Sequence, residues 1–158
     1  TITIKGNSVT FNKSCISRLD KVVYVQFLIN PDQEKLIIRP CTEGAKDAIR
    51  WCVVKEGDIR KSRDITCKMF IAKLYSLMGW ERMCRYKIQG VAKEANGETI
   101  FIFDLADTEV YEPRKKDGTL NRNAPMYPEN WRDSFGLPFA EHEKETEINF
   151  DEGFVSAK

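Results

Sequence analysis

The chain has 158 residues, of which 42% are hydrophobic and 31% charged, and its formal net charge is +1. This length supports one sizeable core, and no apolar run approaches the ~18 residues that a membrane-spanning helix needs. The small net charge conceals an asymmetry, because residues 1–92 contain 17 Lys and Arg against 9 Asp and Glu, a net of +8, whereas residues 93–158 carry a net of −7. The basic part predicts an anionic partner, although Lys and Arg that only solvate exposed faces would give the same count.

The first forty residues predict a hairpin, a short helix and a second hairpin. Alternating residues at Thr1–Ile4 and Val9–Phe11 flank a turn at Lys5-Gly6-Asn7. Asn12 can cap a two-turn helix that ends at Leu19. The second hairpin consists of an apolar strand at Val22–Asn30, a turn at Pro31–Glu34 and a return strand at Lys35–Arg39.

The middle of the chain contains the densest basic cluster. Asp47–Lys55 alternates in a way that predicts one strand with Ile49, Trp51 and Val53 on a single face. After the turn Glu56-Gly57-Asp58, a loop carries Arg60, Lys61 and Arg63 within four residues. Guanidinium forks suit phosphate oxygens, so this loop is the strongest candidate for contacts with an anionic partner.

A second helix follows, with a cap at Thr66 and an end at Gly79, whose residue type suits a left-handed position. Its apolar residues have helical spacing: Cys67, Phe70, Ile71, Leu74, Leu77 and Met78. The outer face is predicted to carry Lys68, Lys73, Tyr75 and Ser76. An Asn96-Gly97 step between Arg85–Lys93 and Glu98–Leu105 then predicts a tight hairpin.

The C-terminal third predicts less regular structure. Thr108–Tyr111 could add an edge strand. Residues 113–139 combine prolines with aromatic anchors and predict an irregular arm over the core. Residues 140–158 form an acidic tail, which is either frayed or an acidic-aromatic peptide that docks on a partner.

These elements together predict an α+β fold with two short helices and mainly antiparallel strands. Strand, helix and hairpin occur in the same order twice, in units 1–40 and 47–105, so we expect a pseudo-duplicated core over residues 1–112. The arm, residues 113–139, and the tail, residues 140–158, would follow this core.

The first unit resembles the swapped-hairpin half of AbrB/SpoVT-type regulators over residues 8–40. The resemblance rests on Val9-Thr10-Phe11-Asn12-Lys13, the short helix, the hairpin and Leu36-Ile37-Ile38-Arg39-Pro40, and it returns loosely at 62–105. Asp20-Lys21 replaces the glycine-containing turn usual in the family. The resemblance implies two interlocking units that bind DNA through basic residues, and it transfers that role to Lys13, Arg18 and Lys21, with Lys68 and Lys73 as the counterparts in the second unit.

The sequence predicts no catalytic residue, metal site or cofactor. The single histidine, His142, lies in the acidic tail, and the nine glycines form no phosphate-binding loop. Cys67 is the best placed of the five cysteines for a nucleophile, but their apolar surroundings favour buried free thiols in the cytoplasm. Asp104, Asp107 and Glu109 cluster without the remaining pattern of a two-metal nuclease.

Our leading hypothesis is a small non-enzymatic regulatory protein that binds DNA, or another nucleic acid in a nucleoprotein complex, through its basic N-terminal face. The contacts would come from Arg60, Lys61, Arg63, Lys13, Arg18, Lys21, Lys68 and Lys73. The alternative is an interaction protein of a phage or mobile element that inhibits a larger enzyme, such as a defence nuclease. A metal-dependent nuclease is third, and the sequence leaves the oligomeric state open.

Overall fold

The computed structural model describes residues 1–129, which fall into two compact units. Unit 1 comprises Thr1–Thr108, and unit 2 starts at Glu109. The helices are α1 (Lys13–Arg18) and α2 (Lys68–Met78). The strands are β1 (Ile2–Lys5), β2 (Ser8–Phe11), β3 (Tyr24–Asn30), β4 (Lys35–Cys41), β5 (Ile49–Arg50), β6 (Cys52–Lys55), β7 (Ile59–Ser62), β8 (Asp64–Thr66), β9 (Arg85–Ala95), β10 (Glu98–Pro113) and β11 (Met126–Pro128). The predicted acidic tail and the arm beyond Glu129 lie outside the described residues.

One long antiparallel sheet dominates unit 1. Its strands follow the order β5-β3-β4-β10-β9-β1-β2-β8, and β6 and β7 form a separate two-stranded ladder. This ladder lies between the two ends of the sheet: the backbone N–H of Trp51, which precedes β6, donates to the Val23 carbonyl, and the Ser62 hydroxyl of β7 donates to the Phe11 carbonyl. The strands of unit 1 thus form a nearly closed wall around its interior.

The predicted α+β class with two strand-helix-hairpin units is wrong, because the chain is β-rich and neither unit has a sheet of its own. β4 pairs with β10, with Ile38 opposite Phe101, and β2 pairs with β8, with Val9 opposite Ile65. Strands of each predicted unit therefore complete the hydrogen bonding of strands in the other, and all of them except β6 and β7 belong to one sheet. Local periodicity shows where strands occur but not which strand edge they pair with.

The core of unit 1 is built around the fully buried Phe11. Its ring lies 5.2 Å from Trp51, 5.8 Å from Phe27 and 6.3 Å from Phe103, measured between ring centroids. Gly90 of β9 allows the Phe103 ring to lie against its backbone, because a Cβ atom at Gly90 would be 2.5 Å from that ring. Large aromatic rings at tilted angles dominate the packing energy of such a core.

Both helices end as the sequence predicts, but only α1 also begins where predicted. The Asn12 carboxamide oxygen accepts the Cys15 backbone N–H at 2.9 Å, which caps α1, and Gly79 ends α2 with φ +63°. The cap predicted at Thr66 is wrong: Thr66 lies in β8, and α2 follows Cys67.

The predicted outward position of Tyr75 on α2 is also wrong. Its side chain is buried, with its ring 5.8 Å from those of Trp80 and Tyr86. Leu77 instead is 37% exposed. The buried face of α2 is therefore rotated toward this aromatic cluster.

The described part of unit 2 is a hairpin with a long connection. The end of β10 pairs with β11, with Tyr111 opposite Pro128. The predicted edge strand Thr108–Tyr111 is part of β10, and β11 lies within the predicted irregular arm. An ion pair of 2.5 Å joins Arg114 Nε to the Glu112 carboxylate next to the connection.

Candidate nucleic-acid interface

The basic segment predicted as a loop is largely a strand, β7. Lys61 is opposite Val53 and Arg60 is opposite Val54, so the β6–β7 ladder has two faces. Its outer face carries the exposed residues Val53, Lys55, Ile59 and Lys61. Its inner face carries Cys52, Val54, Arg60 and Ser62. Two neighbouring members of the predicted basic cluster thus point in opposite directions.

Arg60, on the inner face of β7, forms hydrogen bonds to the backbone at the end of α1. Its Nη1 donates to the carbonyl oxygens of Leu19 and Val22, each at 2.7 Å. The half-buried guanidinium thus holds the segment after α1 next to β7, and α1 itself also packs against β7. Arg60 was predicted as a free phosphate ligand, and the structure gives it a positioning role as well.

Three arginines carry charges that act on the buried thiol of Cys52. Burial raises the pKa of Cys52, and the positive charges of Arg60, Arg50 and Arg63 oppose that rise. Arg50 and Arg63 are exposed. Cys52 pairs with Ser62, so Arg50, two residues before Cys52, and Arg63, directly after Ser62, lie at the same end of the β6–β7 ladder. We call Arg50, Arg60 and Arg63 the cationic cluster. Arg50 was not among the predicted site residues. The sequence pattern missed Arg50 because residues 47–55 were treated as one alternating strand and the break at Trp51 was not recognised.

The break at Trp51 separates β5 from β6. Trp51 and Cys52 are both fully buried although they are neighbours, and Val53 is 36% exposed. The Trp51 Nε1–H donates to the Val22 carbonyl at 2.9 Å. The predicted single strand 47–55 is therefore wrong, because the ring is drawn into the core and the chain changes partner there.

The predicted basic residues of the first helix lie on the element that β7 contacts. Lys13 starts α1, Arg18 lies in its last turn, and Lys21 follows with φ +59°. All three are exposed. Since Arg60 binds the carbonyls of Leu19 and Val22, on either side of Lys21, the end of α1 and the cationic cluster are adjacent. Arg18 and Lys21, at the end of α1, therefore lie next to the cationic cluster.

Lys68 and Lys73 lie on a different element, α2. That helix starts beside the β1–β2 turn, where the Cys67 N–H donates to the Asn7 carbonyl, and its Phe70 ring lies 5.0 Å from Phe27. Both lysines are exposed. The contacts that join α1, β5 and β7 do not involve α2, so we do not include these two lysines in the candidate interface.

A cavity of about 620 Å³ opens beside the cationic cluster. Besides Arg60, it is lined by side chains from α1, from the segment after it and from the β6–β7 hairpin: Ile16, Val23, Val54, Asp20, Lys21 and Asp58. The cavity thus combines aliphatic walls with charges of both signs. Sequence patterns could not reveal it, since its residues come from distant segments.

The other side chains weighed for catalysis or metal binding do not form a reactive site within the described residues. Burial raises the pKa of Cys67 to about 11, so its thiol stays protonated at neutral pH. Asp104 accepts from Lys35 Nζ at 2.6 Å. Trp51, Tyr75 and Tyr86 are buried, so their rings do not offer faces on which nucleic-acid bases could stack. Within residues 1–129, no group of three His, Cys, Asp or Glu side chains is placed to hold a metal ion.

No protein-family model, curated protein or solved structure matches the chain. In residues 1–129, no helix is both long enough and apolar enough to cross a membrane.

Proposed function

We propose that this chain is a non-enzymatic regulatory protein that binds nucleic acid through its phosphates. The observation that supports this most is that Arg50, Arg60 and Arg63 come together on the β6–β7 ladder, beside the exposed Arg18 and Lys21 of the α1 end. Clustered cations that neutralise phosphates gain free energy by releasing counterions. Five free cysteines fit a cytoplasmic location, where thiols stay reduced.

The proposal divides the basic residues by role. Arg60 is a positioning residue, because its Nη1 already binds two carbonyl oxygens. Arg50 and Arg63 are exposed and can offer guanidinium forks to phosphate oxygens. Lys61 reaches a phosphate only if the strand also passes the outer face of the β6–β7 ladder. Such contacts give affinity with little choice of sequence.

Fluorescence anisotropy with a labelled oligonucleotide tests the proposal. We expect binding at low salt that weakens steeply as the salt concentration rises, and we expect Arg63→Ala to lower affinity alike on all sequences while reducing the salt slope by about 1. Arg82→Ala removes an exposed arginine before β9 and is the matched control. Equal losses for the two variants would contradict a local interface, and absence of binding at low salt would refute the function.

An inhibitor of a larger enzyme is the second candidate, supported by aliphatic residues on the outer face of the sheet. Leu28 of β3, Ile37 of β4 and Ile102 of β10 are opposite one another across three strands, and Leu28 is 42% exposed. Ile37 and Ile102 are half-buried, and partly exposed apolar rows of this kind occur at protein interfaces. If this candidate is right, the chain inhibits one captured enzyme, Leu28→Glu abolishes the inhibition, and Arg63→Ala leaves it unchanged.

A further inference from the structure

We propose that the cavity of about 620 Å³ beside Arg60 binds a guanine nucleotide, presented by a single strand that lies on the cationic cluster. This inference rests on the proposed function and adds a ligand class to it. The size is suitable, because pockets for small ligands measure about 300–1,000 Å³ and one nucleotide occupies part of that space.

The walls of the cavity suit the faces of a base. Ile16 of α1, Val23 of the segment before β3 and Val54 of β6 belong to the lining and are aliphatic. A base within a duplex is stacked on its neighbours and cannot enter a cavity, whereas an unstacked base exposes both faces and its pairing edge. The cavity therefore favours a single strand over a duplex.

Two carboxylates in the lining select among the bases. Asp20 and Asp58 are side chains that only accept hydrogen bonds when ionised. The pairing edge of guanine carries two parallel donors, N1–H and the N2 amino group, which match the two oxygens of one carboxylate. Adenine and cytosine each place an acceptor beside their single amino group, and thymine and uracil place carbonyls on both sides of one N–H. A carboxylate in this position favours guanine.

The cations in the lining define where the phosphate lies. Lys21 is exposed, and Arg60 is held at the carbonyls of Leu19 and Val22. The negatively charged phosphate is attracted to Lys21 and repelled by Asp20 and Asp58. The nucleotide should therefore enter the cavity with its base first and leave its phosphate at the opening. The exposed guanidinium of Arg63 is then available to the next phosphate of the strand.

The test compares short oligo(dT) strands of about 12 nucleotides that carry one central guanine, adenine or cytosine, or none. Anisotropy titrations use the complete chain and its variants Asp20→Asn and Asp58→Asn. Asparagine keeps the side-chain shape and tolerates the φ of +57° at Asp58. Asp32→Asn, in the exposed β3–β4 turn, is the matched control. Circular dichroism checks the fold of each variant, and titration with free GMP, AMP, CMP and UMP tests the cavity without a strand.

We expect the strand with guanine to bind about 10-fold more tightly than the others, which corresponds to the usual discrimination of one bidentate base contact. One or both cavity variants should abolish this preference, and Asp32→Asn should keep it. If all strands bind equally, the cavity inference is refuted while the proposed function stands. If no strand binds, the proposed function fails, and the GMP titration then decides whether the cavity holds a free nucleotide or nothing of this class.

Discussion

Arg60 offers the sharpest test of the structure, because its role in the fold separates it from its basic neighbours. Replacing it by Met keeps most of the side-chain stem but removes both hydrogen bonds from Nη1 to the carbonyls of Leu19 and Val22. The change should detach β7 from the end of α1. We therefore expect Arg60→Met to lower the free energy of unfolding, whereas Arg63→Met should leave it nearly unchanged, since Arg63 is exposed.

The expected loss of unfolding free energy depends on which donors the two carbonyl oxygens keep once Arg60 is replaced. Hydrogen bonds to charged groups contribute about 1.5–3 kcal/mol each. Neither carbonyl is left without a donor, because the Leu19 oxygen also accepts the Val22 N–H at 3.3 Å and the Val22 oxygen accepts the Trp51 Nε1–H at 2.9 Å. Two such bonds would together contribute about 3–6 kcal/mol. Since both carbonyls keep a donor, the desolvation penalty is avoided and we expect a total loss at the low end, about 2–3 kcal/mol.

Urea unfolding followed by tryptophan fluorescence measures this loss, and a thermal melt should show a decrease in Tm of roughly 5–10 °C for a chain of this size. Arg60→Lys keeps one ammonium and should recover part of the stability. If Arg60→Met costs less than ~0.5 kcal/mol, the same as an ordinary surface substitution, the anchoring role is wrong and Arg60 is free to bind phosphate.

Three further predictions concern packing and titration. Gly90→Ala should cost about 1–3 kcal/mol in urea unfolding, because its Cβ would lie 2.5 Å from an aromatic ring, whereas Gly44→Ala, in open space, should cost little. The bond from Lys35 lowers the pKa of Asp104, so this pair stabilises the fold above the unfolded pKa of 3.8 and loses its effect as pH falls through the lower folded pKa. Asp104→Asn should thus destabilise at pH 7, with a difference from wild type that vanishes in strong acid. Burial raises the pKa of Cys67 from 9.0 to about 11, so its alkylation at pH 8 should be slow, and stability should fall as pH rises across that interval.

The sequence by itself determined most of the local structure. Asn12 predicts the start of α1 because its carboxamide satisfies a free backbone N–H, and Gly79 predicts the end of α2 because it accepts a positive φ. The Asn96-Gly97 step predicts a tight hairpin, and both residues have positive φ in the structure. These features depend on residues close together in the chain, so a sequence pattern carries them.

The tertiary structure alone decided the fold class and the candidate site. Strand pairing between β4 and β10, and between β2 and β8, joins segments about sixty residues apart, and the alternation of side chains within a strand is the same whichever neighbour it pairs with. Arg60 and Lys61 have equal charge in the sequence, but the pleat turns one toward the α1 carbonyls and the other toward solvent. The physical reason is common to both cases: partner choice and side-chain environment depend on long-range contacts, and these are fixed only when the core around Phe11 closes.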